Sequence, residues 1–328
     1  MVREFDRHIM RRALQIARNG EGLTSPNPMV GAVIIRSDGT LIGEGFTSPW
    51  GGPHAEVNAV ESVEDKKELS DATIYVTLEP CSHHGKTPPC ADLLISHGIK
   101  RCVIGALDPF KEVSGRGVKK LMEAGIEVET GVLEKECREL NRRFILAHEQ
   151  QRVYVILKWA ESADKFMAHA DGSPALLSDA CGKVAVHRER ALTDAILVGS
   201  RTILTDNPRL DCRLWPNRML RPVVIDTKGI IKNDARVMRP DTIIFREKKS
   251  EEEIARQLYR EYGFISLMVE GGPETLKRWI DSGIYDEIRV ESSAVVLDEG
   301  IKAPHLPDLP YSFSSLGTST ILQWKREI

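Results

Sequence analysis

Long hydrophobic segments are missing from this chain of 328 residues. No apolar run approaches the ~20 residues that a membrane-spanning helix needs, so we expect no membrane partner. The first residues, MVREFDRHIMRRAL, carry charges throughout and lack the apolar core of a secretory signal. The sequence therefore predicts a soluble, cytoplasmic protein.

Cysteine is scarce, and the charges of the two signs nearly cancel. Six cysteines in a cytoplasmic chain are expected to be thiols or metal ligands and not a disulfide framework. Lysine and arginine number 45 against 48 acidic residues, which argues against binding to nucleic acid mainly through counterion release. Interleaved basic and aromatic patches are also missing. We therefore expect no nucleic-acid partner.

Length and patterning predict two folded domains. Apolar residues make up 41% of the chain, and roughly 100–200 residues form a typical domain. A polar stretch at 149–152 interrupts two well-patterned segments. We expect domains at residues 1–149 and 150–328.

The first half alternates strand and helix patterns, which predicts a mainly parallel sheet with helices on both faces. We expect strands at 29–35, 41–45, 73–78, 101–106 and 126–129, and helices at 6–17, 54–63, 91–97, 117–124 and 134–149.

The second half predicts another α/β domain. We expect strands at 153–159, 195–198, 223–226, 242–245, 266–269, 287–292 and 319–326, and helices at 179–192, 251–262 and 274–281. The Gly-x-Gly-x-x-Gly pattern is missing, so a Rossmann domain has no support.

The most specific motif is a metal-ligand pattern. His54-Ala55-Glu56 is followed by Pro80-Cys81 and then by Cys90, which is the order found in zinc deaminases. One imidazole and two thiolates hold Zn²⁺ and leave a fourth position for water, whose pKa the metal lowers toward neutrality. Glu56 follows the ligand His54 closely and can carry the proton.

The spacing of the cysteines departs from the usual deaminase motif. Eight residues separate Cys81 from Cys90, where two are usual. Two buried structural cysteines with a surface histidine would be one alternative, and His83 or His84 could replace a cysteine as a ligand. The order of the residue types favours zinc on His54, Cys81 and Cys90.

Three stretches resemble one family. GPHAEVNA at 52–59, TLEPCSHHGKTPPC at 77–90 and PNPMVGAV at 26–33 are similar to the bifunctional deaminase/reductase family of riboflavin biosynthesis. The long insert between the cysteines belongs to that family's pattern. The resemblance implies a cytidine-deaminase-like α/β/α sandwich followed by a dihydrofolate-reductase-like α/β domain.

The resemblance also implies the chemistry. Zinc-dependent deamination of 2,5-diamino-6-ribosylamino-4(3H)-pyrimidinone 5′-phosphate would be followed by reduction of its ribosyl group to ribityl with NADPH. The implied partners are these small pyrimidine ribosyl phosphates, and the family's habit implies a homo-oligomer. The residues themselves do not separate NADPH from NADH.

In the deaminase domain the resemblance assigns substrate contacts to Asn27, His83 and Lys86. A lysine beside the metal suits a phosphate, although a solvated lysine is an equal alternative. Asn27 lies between two prolines and is otherwise a turn residue. Phe110 stands where the family often has asparagine.

In the second domain the resemblance assigns two groups of residues. The substrate positions are Arg190, Leu210, Arg213 and Glu270. The cofactor positions are Lys158, Ala160, Thr202, Asp206, Thr227, Gly271, Gly272, Pro273, Glu274 and Thr275. Independently of the resemblance, the 270–273 loop follows a strand and precedes a helix. Such a loop can bind a pyrophosphate, but a glycine-rich loop of this kind is more often an ordinary turn. The two arginines suit a ribose phosphate as bidentate donors.

Departures from the family pattern cluster before residue 178. Lys165 stands where the family has glycine, and Pro174 and Leu176 occupy a Ser-x-Trp stretch whose tryptophan flanks the nicotinamide. An alternative is therefore a deaminase whose C-terminal domain no longer reduces. Two further alternatives are a base deaminase with an RNA-binding appendage and a purely structural zinc module. The slightly acidic charge balance disfavours the RNA-binding protein, and a structural zinc module does not explain Glu56.

Overall fold

The computed structural model describes residues 4–82, 88–110, 114–215 and 220–328. The chain divides into two compact units, Met1–Gln150 with Ile328 and Gln151–Glu327. None of the helices in these described ranges is long and apolar enough to cross a membrane.

The described part of the first unit forms one mixed sheet with strand order β2-β1-β3-β4-β5. Its strands are β1 Gly31–Ile35, β2 Leu41–Phe46, β3 Thr73–Leu78, β4 Arg101–Ala106 and β5 Glu127–Thr130. Its helices are α1 Glu4–Ala17, α2 Ala55–Ser62, α3 Cys90–Ser96, α4 Arg116–Glu123, α5 Glu134–Leu140 and α6 Arg142–Gln150. Strands β3, β4 and β5 are parallel, whereas β1 is antiparallel to both of its neighbours.

Two glycines place the first helices on opposite faces of this sheet. A side chain on Gly31 would collide with the backbone of Ala13 in α1, and one on Gly45 would collide with the backbone of Ala59 in α2. Gly45 pairs with Ala32, so it faces the side opposite to Gly31. The helices therefore cover both faces, and the predicted α/β/α sandwich is confirmed.

The single helix predicted at 134–149 is wrong, because the chain breaks it at Asn141. The Asn141 side chain accepts the Met29 N–H and donates to the Met29 carbonyl, both at 2.8 Å. Asn141 has a φ of −110°, outside the helical range, and α5 packs on β4. This pair of helices is therefore part of the first unit's layers.

Replacing the buried Asn141 by alanine is expected to destabilise the first unit by about 1–3 kcal/mol, since two half-buried backbone groups of Met29 lose their partner. Urea unfolding measures the change. The exposed Asn19→Ala is the control and should stay within ~0.5 kcal/mol of the wild type. Equal midpoints for both variants would contradict the role of Asn141.

The second unit is built, in its described residues, on an eight-stranded sheet with order β10-β9-β8-β11-β6-β12-β15-β14. The strands are β6 Tyr154–Glu161, β7 Phe166–Ala168, β8 Ala195–Gly199, β9 Arg221–Ile225, β10 Ile243–Phe245, β11 Ser266–Val269, β12 Glu287–Ser292, β13 Ile301–Lys302, β14 Ser312–Leu316 and β15 Ser319–Lys325. The helices are α7 Ala180–Ala191, α8 Ser200–Asp206, α9 Glu251–Tyr262 and α10 Pro273–Ser282. Strands from β10 to β12 in this order are parallel, β15 and β14 follow antiparallel, and β7 pairs with β13.

Both faces of this sheet are covered. Alternate residues of β8 enter different cores, with Leu197 packing in the cluster around Trp279, and Ile196 and Val198 in a second cluster with Val224. Because parallel strands end at one edge, the loops after β8, β9, β10 and β11 lie side by side. The second α/β domain is therefore confirmed, and this edge is where its ligands are expected.

A buried carboxylate joins the beginning and the end of the second unit. Asp286 is fully buried and accepts two hydrogen bonds from the Arg152 guanidinium, at 2.6 and 2.7 Å. It also accepts the Val155 N–H at 2.9 Å and lies 3.1 Å from Nε of Arg326. One carboxylate thus contacts Arg152, two residues before the first strand of this unit, and Arg326, the residue after its last strand.

Candidate active sites

The predicted metal ligands converge in the first unit. His54 is the residue before α2, Cys81 follows β3, and Cys90 begins α3. Nδ1 of His54 lies 3.7 Å from Sγ of Cys81 and 3.3 Å from Sγ of Cys90. One ligand atom from each residue lies within 4.8 Å of the others.

The chemistry of this donor set fits zinc. The hydrogen bond from the Cys90 thiol, and further ones from His54 and the Cys90 backbone N–H, lower the pKa of Cys81 to about 4 despite its burial. The same bond to Cys81, together with burial, raises the pKa of Cys90, and the hydrogen bond to Cys81 raises that of His54. Zn²⁺ binds one neutral imidazole and two cysteines, which lose their protons and become thiolates. Three such ligands leave one coordination position for water.

Glu56 lies in the first turn of α2, and only 4% of it is exposed. Burial raises the pKa of its carboxyl to about 7, and the negative charge of Cys81 contributes in the same direction. A carboxyl beside the metal ligands that titrates near neutrality can both accept and release a proton.

Glu79 is a residue of this site that sequence reasoning did not single out. Its carboxylate is 6% exposed and accepts four backbone N–H bonds of 2.8–3.2 Å. The donors are Asp108, Gly115, Gly117 and Val118. A side chain on Gly117 would collide with the Pro80 carbonyl. Glu79 therefore fastens the start of α4 to the strand end that carries Cys81, and its place in the Thr-Leu-Glu-Pro-Cys stretch is the only sequence signal for it.

The structure describes only some of the other predicted deaminase residues. His83 and Lys86 lie outside the described residues. The Asn27 N–H closes a turn on the Thr24 carbonyl at 2.9 Å. Phe110 stacks on His148 with ring centroids 4.2 Å apart, and burial lowers the pKa of His148 to about 4. An aromatic contact thus occupies the position where the family often has asparagine.

In the second unit a cavity of about 510 Å³ opens at the carboxyl edge of the sheet. It brings together most of the predicted cofactor residues and two of the predicted substrate residues. These are Lys158, Ala160, Arg190, Thr202, Asp206, Glu270, Gly271, Gly272, Pro273, Glu274 and Thr275. Leu210 and Arg213 line a neighbouring cavity that shares Arg190 and Asp206. Thr227, just after β9, is not among the described residues that line either cavity.

The larger cavity fits a dinucleotide. Gly272 is the residue before α10 and donates its N–H to the Thr202 hydroxyl at 3.1 Å, which fixes the loop across the cavity floor. Backbone N–H groups at such a helix start attract phosphate oxygens. Lys158 is buried in the same wall, and burial lowers the pKa of its ammonium group, while Glu270 opposes this shift.

Arg190 and Glu270 form a bidentate ion pair beside Lys158. Nε and Nη2 of Arg190 donate to the two Glu270 oxygens at 3.0 and 2.6 Å, and Nη1 donates to the Asp211 carbonyl at 3.1 Å. Burial opposes the ionisation of Glu270, but attraction to Arg190 and Lys158 outweighs it and lowers the pKa. The fork of Arg190, expected to bind phosphate, is thus occupied by a carboxylate.

Two of the three departures from the family pattern lie in this cavity's wall, and Lys165 is not among its described lining residues. Lys165 takes the left-handed conformation with φ +72°, which favours glycine, and its Nζ pairs with the buried Glu161 at 2.6 Å. Pro174 and Leu176 line the cavity, and Leu176 remains 74% exposed.

Comparisons with known proteins agree with both sites. Residues 3–106 match the model of the cytidine and deoxycytidylate deaminase zinc-binding region, and residues 153–307 match the RibD C-terminal domain. The riboflavin biosynthesis protein RibD of Aquifex aeolicus is 38% identical over 326 residues, covering 92% of this chain and 90% of that protein. The chain belongs to the RibD family.

Solved structures show the same relationship. Acinetobacter baumannii RibD in its form 1 has a TM-score of 0.90 at 29% identity, with 98% of each chain covered. A Thermotoga maritima protein, described as a diaminohydroxyphosphoribosylaminopyrimidine deaminase/5-amino-6-(5-phosphoribosylamino)uracil reductase, has a TM-score of 0.87 at 35% identity, covering 98% of this chain and 99% of that one.

Membership of the RibD family decides between the predicted alternatives. The chain is a bifunctional enzyme of riboflavin biosynthesis, with a zinc-binding deaminase domain followed by a reductase domain. Zinc and NADPH are its cofactors. The expectation of two enzymatic domains is confirmed, and the alternative of a deaminase alone is disfavoured.

Proposed function

We propose that the first unit deaminates 2,5-diamino-6-ribosylamino-4(3H)-pyrimidinone 5′-phosphate and that the second unit reduces the ribosyl group of the product to ribityl. The main support is that one chain carries both the His54, Cys81 and Cys90 cluster beside Glu56 and the open cavity around Lys158. The Thermotoga relative, described by both activities, supports the same substrates. The enzyme acts in the cytoplasm. It forms a homo-oligomer, and sedimentation velocity tests this oligomeric state.

In the deaminase site His54, Cys81 and Cys90 hold zinc, which when bound supplies hydroxide at neutral pH. Glu56 takes one proton from the attacking water and passes it to the ring nitrogen. It then takes the proton of the hydroxyl formed on the ring carbon and passes it to the amine, so that the C–N bond breaks, the ring carbonyl forms and ammonia leaves. Asn27, His83 and Lys86 bind the substrate around this centre.

In the reductase site Thr202, Asp206, Thr227 and the 271–275 loop bind NADPH, which when bound supplies the hydride. Lys158, Ala160 and Asp206 lie beside the hydride-transfer centre. As C1′ takes the hydride, its bond to the ribose ring oxygen breaks, and Lys158 gives that oxygen its proton. Glu270, Leu210 and Arg213 border the substrate. Arg190 acts there through its pair with Glu270.

The first test follows NADPH absorbance while the diaminopyrimidinone ribosyl phosphate is the sole substrate. We expect NADPH oxidation together with ammonia release, because the reductase acts on the deaminated product. Ammonia without oxidation would support a deaminase alone and implicate the altered segment from Lys165 to Leu176. If zinc-loaded protein neither releases ammonia nor oxidises NADPH, the proposed substrate is contradicted.

A further inference from the structure

One wall of the dinucleotide cavity is built by chain that lies outside the large sheet. Residues 174–178 all line the cavity and lead to α7, and they are called the 174–178 wall below. At its first end Pro174 forms a bridge with Ala168 of β7, and at its middle Leu176 remains 74% exposed. Since the side chain at the middle packs on little, the position of the wall depends on how its ends are held.

Glu291, on β12, holds the second end of this wall. Its carboxylate is 2% exposed and accepts the Ser178 hydroxyl at 2.8 Å and the Ser319 hydroxyl at 3.2 Å. A side chain on Gly182, in the first turn of α7, would collide with the same carboxylate. Glu291 therefore fixes both the last residue of the wall and the start of the helix that follows.

A second contact fastens the same end to the last hairpin of the unit. Asp179, the residue before α7, accepts the Gly182 N–H at 2.8 Å and the Thr318 N–H at 3.0 Å. Thr318 lies in the turn between β14 and β15. The end of the wall is thus anchored on β12 and on the hairpin beside it.

Glu291 also lies on the side of the sheet that carries the buried lysine of the cavity. Val290 pairs with Trp159, and both pack in the core on one face, so their neighbours along the strands face the other way. On that other face Glu291 pairs with Ala160 and is a diagonal neighbour of Lys158. One buried carboxylate thus adjoins both the wall and the lysine.

The carboxylate of Glu291 is kept charged by little else. It makes no ion pair with any residue in the described ranges, and its two side-chain donors are neutral hydroxyls. Burial lowers the pKa of Lys158, and Arg190 and Arg289 act in the same direction, whereas Glu270 and Glu291 oppose the shift. Burying a carboxylate without a cationic partner costs free energy, so we expect this one to serve the site.

We propose that Glu291 is a positioning residue of the reductase, which holds the 174–178 wall against the bound dinucleotide through Ser178 and keeps a negative charge beside Lys158. This inference rests on the proposed reductase function. Glu291 is not among the described residues that line the cavity, so it acts through Ser178 and Lys158.

The test titrates NADPH into the full-length protein without substrate and follows the nucleotide fluorescence. Ser178→Ala removes the contact and leaves the charge, and we expect it to raise the NADPH Kd about tenfold, as for the loss of one hydrogen bond to a charged group. Glu291→Ala should raise the Kd at least as much, and adding S178A to E291A should not raise it further, because both remove the same contact. Glu291→Gln keeps an oxygen that accepts the Ser178 hydroxyl, so its Kd should rise less.

The pH profile of NADPH oxidation separates this role from a merely structural one. With directly supplied deaminated substrate, E291Q should lose activity at a lower pH than the wild type as the pH rises. The reason is that Lys158 gives up its proton more readily once the neighbouring negative charge is gone. S178A keeps that charge, so its profile should match that of the wild type.

Glu287→Gln is the matched control, since Glu287 lies on the same face of β12, is 3% exposed and accepts the Tyr154 hydroxyl at 3.1 Å. It should leave the NADPH Kd and the pH profile unchanged. A wild-type Kd in S178A, an unshifted profile in E291Q, or equal losses in E287Q would overturn the proposal. If the wild type binds NADPH but does not oxidise it, the reductase function fails instead, while the titration still tests the hold of Glu291 on the wall.

Discussion

Replacing Glu56 by glutamine is expected to lower the deamination rate about a hundredfold to ten-thousandfold, the usual contribution of a general acid–base group. The amide keeps the size of the side chain in its buried position but cannot take up and return the proton. His54, Cys81 and Cys90 are untouched, so the zinc content, measured by atomic absorption, should stay the same.

Glu61→Gln is the matched control for this experiment, since Glu61 lies on the same helix and is exposed. It should deaminate at the wild-type rate. NADPH oxidation with directly supplied deaminated substrate should be normal in both variants. Full deamination by E56Q would remove the central assignment of the first site.

Replacing Glu79 by alanine is expected to destabilise the first unit by about 3 kcal/mol or more, because it leaves four backbone N–H groups without their charged acceptor. Cys81 lies two residues further on, so zinc should also be held less tightly. Urea unfolding with zinc present measures the first effect, and competition with a chromogenic chelator measures the second.

Two further variants sharpen the test of Glu79. Glu79→Gln retains one oxygen acceptor and should fall between the alanine variant and the wild type. Glu64→Ala removes an exposed glutamate of the same unit and should stay within ~0.5 kcal/mol of the wild type. If E79A unfolds at the same urea concentration as E64A, the carboxylate does not hold the start of α4.

Buried strands of β-branched residues were the most predictable part of the fold. The bounds of β3, β4, β11 and β12 agree with the predicted ranges. The first three are short, mainly apolar runs, whereas β12 places the β-branched Ile288 and Val290 between charged residues. Strands β7, β13 and β14 were missed, since they are two to five residues long and contain no buried residue. The break at Asn141 was missed because it depends on Met29, which is distant in sequence.

The site residues show the same difference between what a local pattern predicts and what depends on distant contacts. His54, Cys81 and Cys90 were predictable because metal ligation demands particular residue types in a recognisable order. Glu79 binds backbone N–H groups, which every residue type but proline offers, so no pattern of partners reveals it. The pairing of Arg190 with Glu270 joins residues eighty positions apart, and the burial that perturbs Lys158 depends on the packed sheet.

The contacts of Asp286 have a consequence for how the reductase unit can be connected to other chains. Arg152 and Arg326 reach the same buried carboxylate, so the reductase unit begins and ends within a few ångströms of one point. A module whose ends adjoin can be joined to another protein, inserted into a loop or circularly permuted without stretching its sheet. The reductase module can therefore be linked to a deaminase at one place without rebuilding its interior.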